Sequence, residues 1–195
     1  MIFAFLACAV AAQRLGSIAC AVAALLLLFF AGISDLFDGH LARRWRVVST
    51  FGKMADPLMD KVFFIVSFPT LLWLIGAQGE NPFHAVLMLV FTVLYILRDQ
   101  WVTFLRAIAS VYQADVSAMW LGKVRTALSF PCVGYVYVYL AFGRAWPEGA
   151  AEMGLYACFV IEGFLILLNV YSFIVYTASY FPYVRRALGK ADDRG

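Results

Sequence analysis

The chain has 195 residues, 64% hydrophobic and 14% charged, with a formal net charge of +3. A soluble domain carries charge on about a quarter of its residues, so this composition excludes a globule whose surface is covered by water. The basic residues gather at the ends of apolar stretches, which is a pattern of membrane orientation and excludes a nucleic-acid partner.

Five stretches lack Asp, Glu, Lys and Arg: residues 15–34, 62–79, 81–97, 126–143 and 163–184. A helix crosses a bilayer core with about 20 residues. None of the stretches alternates polar and apolar positions as a barrel strand does, which leaves helices as the spanning element. The fold class is all-α: a polytopic membrane protein with one domain over 1–195 and a basic tail over about 180–195.

In chain order, helices are predicted at about 1–12, 17–43, 51–77, 83–108, 118–142 and 153–179. The first lacks a basic leader region and runs through Gln13 and Arg14 into another apolar span, so it reads as part of a membrane helix and not as a signal peptide. Its 12 residues are too few to cross a core of about 30 Å, and either an upstream extension or an incomplete first helix is expected. The second helix outruns its apolar part, so the end over 35–43 projects at a membrane boundary. Turn chemistry marks 78–82 (Gln-Gly-Glu-Asn-Pro) and 146–149 (Trp-Pro-Glu-Gly). Arg43, Arg44, Arg46 and Lys53, then Arg106, Lys123 and Arg125, then Arg185, Arg186, Lys190 and Arg194 form three basic regions. The alternate connections hold one Arg and three Glu. By the positive-inside rule the basic regions, the C-terminus included, face the cytoplasm. Cys8, Cys20, Cys132 and Cys158 lie in apolar stretches without paired spacing and read as small hydrophobic residues, not as a disulfide framework or a zinc site.

The chemistry concentrates between the second and third helices. Four of the twelve acidic residues fall here. Asp35 and Asp38 are spaced i,i+3 and Asp56 and Asp60 i,i+4, so each pair shares one face of its helix. The short link over about 44–50 makes the two helices antiparallel neighbours, and the four carboxylates converge at the cytoplasmic edge. Such a cluster repels itself, and acidic side chains in membrane helices are costly. Hard divalent cations relieve that cost, and oxygen-only donors suit Mg²⁺, Mn²⁺ or Ca²⁺. Gly39 and Gly52 let a ligand or a neighbouring backbone approach, Ala42 is another small residue, and Arg43 supplies a charge suited to phosphate. One Asp or Gly of this kind is often only a solvated helix end; four carboxylates at helix-face spacing with two glycines are not.

The pattern Asp-x2-Asp-Gly-x2-Ala-Arg-x8-Gly-x3-Asp-x3-Asp, met by Asp35, Asp38, Gly39, Ala42, Arg43, Gly52, Asp56 and Asp60, resembles the signature of the CDP-alcohol phosphotransferase family. The resemblance implies a six-helix membrane bundle, usually a homodimer, whose active site opens at the cytoplasmic face of the cell (inner) membrane. It implies transfer of a substituted phosphate from a CDP-linked donor to an alcohol, with release of CMP. It also implies two Mg²⁺ or Mn²⁺ ions held by Asp35, Asp38, Asp56 and Asp60, with Asp35, Asp38 and Asp56 positioning the pyrophosphate and Asp60 as base for the acceptor hydroxyl. Asp35, Asp38, Gly39, Ala42, Arg43 and Gly52 are then the CDP-binding residues.

The rest of the chain resembles most the bacterial phosphatidylglycerophosphate synthases, a branch of that family that joins CDP-diacylglycerol to glycerol 3-phosphate. The resemblance rests on Arg98-Asp99, Arg106 and Trp120-Leu-Gly-Lys-Val-Arg-Thr126. Asp99 stands where the branch has Glu and Arg125 where it has a second Lys. The Asn-Pro-type start of the first helix and the Arg before the second are not found. Arg98, Arg106, Lys123 and Arg125 are expected around the acceptor phosphate, although Arg125 alone reads equally as a positive-inside anchor. Another acceptor, phosphatidylglycerol as in a cardiolipin synthase or an inositol phosphate, stays open. An ion transporter is the remote alternative, since transport sites favour the bilayer midplane and broken helices. His84 is expected on an external turn without a role. His40 occupies a variable position of the signature. The Phe and Tyr residues of 135–139 and 171–183 read as lipid-facing or interfacial packing.

Overall fold

The computed structural model describes the backbone of residues 1–44, 50–79, 81–113 and 120–189, and the side chains of these residues outside 33–60. Six helices follow in order: α1 (Ile2–Leu15), α2 (Ile18–Arg44), α3 (Thr50–Gln78), α4 (Pro82–Val111), α5 (Trp120–Phe142) and α6 (Glu148–Ala187), with a 3-10 turn (Gly143–Ala145) before the last. Among the described residues four are long and apolar enough to cross a membrane. The protein is a polytopic α-helical membrane bundle.

The helix ends follow local chemistry. Gly16 takes the left-handed conformation (φ 61°) that closes α1 and turns the chain into α2. Asn81 caps α4, its side-chain oxygen accepting from the His84 amide at 3.1 Å, and Pro82 fills the first helical position, where no amide hydrogen is needed. The boundaries match those expected from sequence to within three residues, except in α6. That helix starts at Glu148 and not near 153, and it continues through Pro182 to Ala187. Pro147 presets the chain for helix entry, and its carbonyl accepts the amides of Ala150 and Ala151 at 2.9 Å. At 40 residues, α6 is about 60 Å long and outruns the hydrocarbon core. With 14 residues, α1 reaches only about 21 Å.

The surface is as apolar as the core, and the core holds polar residues among its apolar ones. Phe29, Phe30, Trp73, Leu97, Val160 and Leu167 are exposed, while Ser67, Thr92, Ser129, Asn169 and Ser172 are buried. Lipid is as apolar as leucine, so close packing and interhelical hydrogen bonds hold such helices together. An aromatic cluster joins α3, α4 and α5: Phe63 stacks on Phe130 at 4.5 Å, and Phe68 meets Phe91 and Tyr95 at 4.8 Å each. Buried Gly32 lets α2 approach that cluster, because a Cβ there would overlap the Phe130 ring. α1 and α5 each touch both α2 and α3, and α4 runs along α6 in the most extensive contact of the bundle.

The α4–α6 seam has its own period. The buried positions of α4 include His84, Met88, Phe91, Tyr95, Arg98, Val102, Leu105 and Ala109, and those of α6 include Cys158, Glu162, Leu165, Asn169, Ser172 and Tyr176. Spacings that alternate between three and four are those of helices packing side by side along a coiled-coil stripe. Polar residues occur within this stripe, and they define the site.

Candidate active site

The signature falls on two helices that frame one end of the bundle. Asp35, Asp38, Gly39, Ala42 and Arg43 lie in the last turns of α2, and Gly52, Asp56 and Asp60 in the first turns of α3. Their side chains, that of His40 and the link over 45–49 lie outside the described residues. Neighbouring contacts nevertheless fix the level of these turns. α2 and α5 meet at Gly32 and Phe130, and three residues further along α2, a rise of about 4.5 Å, comes Asp35. Lys61, next to Asp60, donates from Nζ to Thr103 Oγ1 at 2.7 Å, and Thr103 donates to the Asp99 carbonyl, also at 2.7 Å. The Asp60 end of α3 is therefore within one side chain's reach of the Arg98–Asp99 turn of α4.

Around that turn the structure gathers three of the four expected cations. Arg98 is 6% exposed and Arg125 3%, and both donate to Asp99 Oδ1, at 3.1 and 2.5 Å respectively. Arg98 also donates from Nε to Ser172 Oγ at 3.1 Å and lies over the Tyr176 ring, 4.6 Å from its centroid. Arg125 donates to Asn169 Oδ1 at 2.9 Å and lies 4.0 Å over Tyr95. Half-buried Arg106 approaches the other side of this group, donating to the Tyr176 hydroxyl at 3.2 Å. Its Nε and that of Arg125 are buried without a hydrogen-bond partner among the described residues. Lys123, two residues before Arg125, lies on an exposed face of α5. Arg125 is thus no surface anchor: it is a buried guanidinium committed to Asp99 and Asn169.

Three guanidiniums and one carboxylate gather here, two of the three bonded to Asp99, so the described part of the cluster has an excess of two positive charges. Removing charge from water is costly unless it is paired, and a cluster of this composition favours a bound anion. Guanidinium groups present their donors in a planar fork that matches phosphate oxygens.

Four contributors escaped sequence reasoning. Tyr95, Asn169, Ser172 and Tyr176 look like ordinary members of charge-free runs. The Phe/Tyr-rich segments are only partly lipid-facing as well. Tyr171 and Phe181 are exposed, but Tyr137, Tyr176 and Tyr180 are buried, and Tyr176 has arginines against its ring and hydroxyl. The usable signal was the set Asn169, Ser172 and Tyr176, three and four residues apart on α6, in register with the buried stripe of α4.

His84 also differs from expectation. It is not on an external turn but in the first turn of α4, 2% exposed, with Nε2 at 2.9 Å from Oε1 of fully buried Glu162. Glu162 Oε2 has no hydrogen-bond partner among the described residues. This pair ties the start of α4 to α6 about 14 residues before the arginine cluster. Removing one partner leaves the other buried without its hydrogen bond, a loss of roughly 1–3 kcal/mol, whereas removing both is close to neutral. His84→Leu and Glu162→Leu are each expected to lower the melting temperature in detergent, and the double replacement to recover most of it. Two single variants that melt like wild type would show that the pair contributes nothing.

Among the described residues no group of three or more His, Cys, Asp or Glu is placed to hold a metal ion. The candidate ligands remain Asp35, Asp38, Asp56 and Asp60, an all-oxygen donor set whose chemistry fits a hard divalent cation.

The profile of the CDP-alcohol phosphatidyltransferase family matches residues 1–175. The chain is 34% identical over 154 residues to the CDP-diacylglycerol–glycerol-3-phosphate 3-phosphatidyltransferase of Mycoplasma genitalium, covering 77% of this chain and 60% of that protein. It is 30% identical over 132 residues to the like-named protein of Cereibacter sphaeroides, covering 68% of this chain and 56% of that one. With the like-named protein of Rickettsia typhi the identity is 28% over 157 residues, and 80% of each chain is covered. The chain thus spans less than two thirds of the first two relatives. The eight signature residues fall where α2 ends and α3 begins, in a six-helix membrane bundle, and the profile runs through all six helices, so this chain belongs to the CDP-alcohol phosphatidyltransferase family.

Proposed function

We propose that the protein transfers the phosphatidyl group of CDP-diacylglycerol to glycerol 3-phosphate, giving phosphatidylglycerophosphate and CMP. The observation that carries this reading is the arginine cluster beside the signature turns, whose excess of two positive charges complements a phosphate dianion. The names of the relatives point to the same acceptor.

In this reading Asp35, Asp38, Gly39, Ala42, Arg43 and Gly52 bind the CDP moiety, and Asp35, Asp38, Asp56 and Asp60 hold two Mg²⁺ or Mn²⁺ ions. Bound cations supply charge stabilisation for the phosphate oxygens as the transfer proceeds. The primary hydroxyl oxygen of the acceptor forms a bond to the phosphorus bearing diacylglycerol. The bond from that phosphorus to the bridging oxygen breaks, and CMP departs with the electron pair. Asp60 takes the hydroxyl proton, a role that needs hydrogen-bond reach more than a shifted affinity for protons. Arg98, Arg106 and Arg125 grip the far end of the acceptor, and exposed Lys123 draws it in. The protein works as a homodimer in the cell (inner) membrane, with the site and the basic C-terminal end of α6 at the cytoplasmic face, as the positive-inside rule requires.

The test is CMP release by the purified protein across a panel of acceptors: glycerol 3-phosphate, glycerol, phosphatidylglycerol and inositol phosphate. Glycerol 3-phosphate is expected to be used best and free glycerol very poorly, because an uncharged alcohol leaves the guanidiniums unpaired. A preference for phosphatidylglycerol or inositol phosphate would overturn the acceptor and leave the family intact.

A further inference from the structure

We propose that Asn169, Ser172 and Tyr176 of α6 are positioning residues that determine acceptor specificity by aiming the three arginines without neutralising them; this rests on the reading of that cluster as the acceptor-phosphate site.

Spacings of three and four residues put these side chains on one face of α6, one per turn, and each serves a different part of the cluster. Asn169 Oδ1 accepts from Arg125 at 2.9 Å, while its Nδ2 donates to the Leu165 carbonyl at 2.8 Å. The second bond pins the amide so that its oxygen, not its nitrogen, faces the guanidinium. Ser172 Oγ accepts from both Nε and Nη2 of Arg98. The Tyr176 ring lies 4.6 Å from the Arg98 guanidinium carbon and 5.4 Å from that of Arg106, so one π system attracts two cations that repel each other. Its hydroxyl accepts from Arg106 Nη2 at 3.2 Å.

Gly122 belongs to the same device. A Cβ there would come within 2.7 Å of the Tyr176 hydroxyl and 3.8 Å of Arg98 Nη2. The glycine of the Trp120-Leu-Gly-Lys run therefore leaves room for the tyrosine, and through it for the arginines.

The three α6 groups are neutral, and this carries the argument. A guanidinium in a membrane protein can be held by carboxylates, and each one so used cancels one charge. Among the described residues only Asp99 does so. The remaining restraint comes from an amide, a hydroxyl and an aromatic ring, which fix direction while the excess charge stays available to the substrate. A carboxylate on this face would hold Arg125 at least as firmly but take away half of the excess. The neutrality of these three groups thus selects a doubly charged phosphate over a singly charged or uncharged acceptor.

The experiment measures KM and kcat of purified Asn169→Asp, Ser172→Ala, Tyr176→Phe and Tyr176→Leu, with Arg98→Ala as reference, varying glycerol 3-phosphate and CDP-diacylglycerol in turn. Asn169→Asp preserves shape and is expected to raise KM for glycerol 3-phosphate about tenfold, the scale of one charged hydrogen bond, with KM for CDP-diacylglycerol within twofold of wild type. Tyr176→Phe keeps the ring and should cost only a few-fold in the same constant, whereas Tyr176→Leu should cost tenfold or more. A packing role alone predicts lowered melting temperature and changes shared by both substrates. If Arg98→Ala raises KM for glycerol 3-phosphate while Asn169→Asp and both Tyr176 variants leave it within twofold, the positioning role is wrong and the acceptor site stands. If Arg98→Ala leaves that constant unchanged, the acceptor site falls and this inference with it. Should Tyr176→Leu not fold, Tyr176→Phe and Asn169→Asp decide the matter in the same way.

Discussion

Asp60→Asn is expected to lower kcat by roughly 10²–10⁴-fold, the usual contribution of a positioned general base, while binding of the CDP-lipid survives in part. Asn keeps the size of the side chain and an oxygen donor but cannot take the proton from the acceptor hydroxyl. Asp35→Asn and Asp56→Asn should behave differently and lose both metal binding and turnover, because in the proposed mechanism those carboxylates both hold the cations and position the pyrophosphate. The companion measurement is metal removal. EDTA is expected to abolish activity, and Mg²⁺ or Mn²⁺ to restore it, since the donor set offers only oxygen. Normal turnover by Asp60→Asn would remove the base assignment, and full activity in a metal-free preparation would remove the two-metal reading.

The second large effect concerns the acceptor. Arg98→Ala is expected to raise KM for glycerol 3-phosphate by about 10- to 150-fold, the equivalent of roughly 1.5–3 kcal/mol for a hydrogen bond to a charged group. KM for CDP-diacylglycerol should change far less. Lys123→Ala should give the smaller effect of the two, because Lys123 is exposed and an exposed charge is screened by water and salt. The decisive measurement is steady-state kinetics with each substrate varied at saturation of the other. Wild-type KM for glycerol 3-phosphate in both variants would detach this cluster from the acceptor while leaving the family assignment untouched.

How much of this was readable from sequence differs between the two halves of the site. The proposed metal and nucleotide half is local: eight residues within Asp35–Asp60 on two consecutive helices, each Asp pair at helix-face spacing. Sequence order carries such a pattern, because a helix converts spacing along the chain directly into a common face. The proposed acceptor half is assembled from α4, α5 and α6, whose contributing residues run from Tyr95 to Tyr176. Charged members were visible as charges. The residues that orient them were not, because Asn169, Ser172 and Tyr176 are uncharged, and their role exists only once α6 packs along α4.

By itself, then, the sequence determined the class, the number and approximate ends of the helices, and the signature that names the family. Charge-free runs of bilayer length allow only helices, since backbone groups in lipid must be satisfied within the segment. Tertiary structure alone decided which side of each helix is inside. In a membrane chain both lipid-facing and buried surfaces are apolar, so hydrophobicity does not separate them. That is why His84 was expected outside yet lies buried against Glu162, why Arg125 read equally as an anchor, and why Tyr176 passed for interfacial packing. Each owes its environment to a residue between 26 and 78 positions away, a distance across which only helix packing can bring two side chains together.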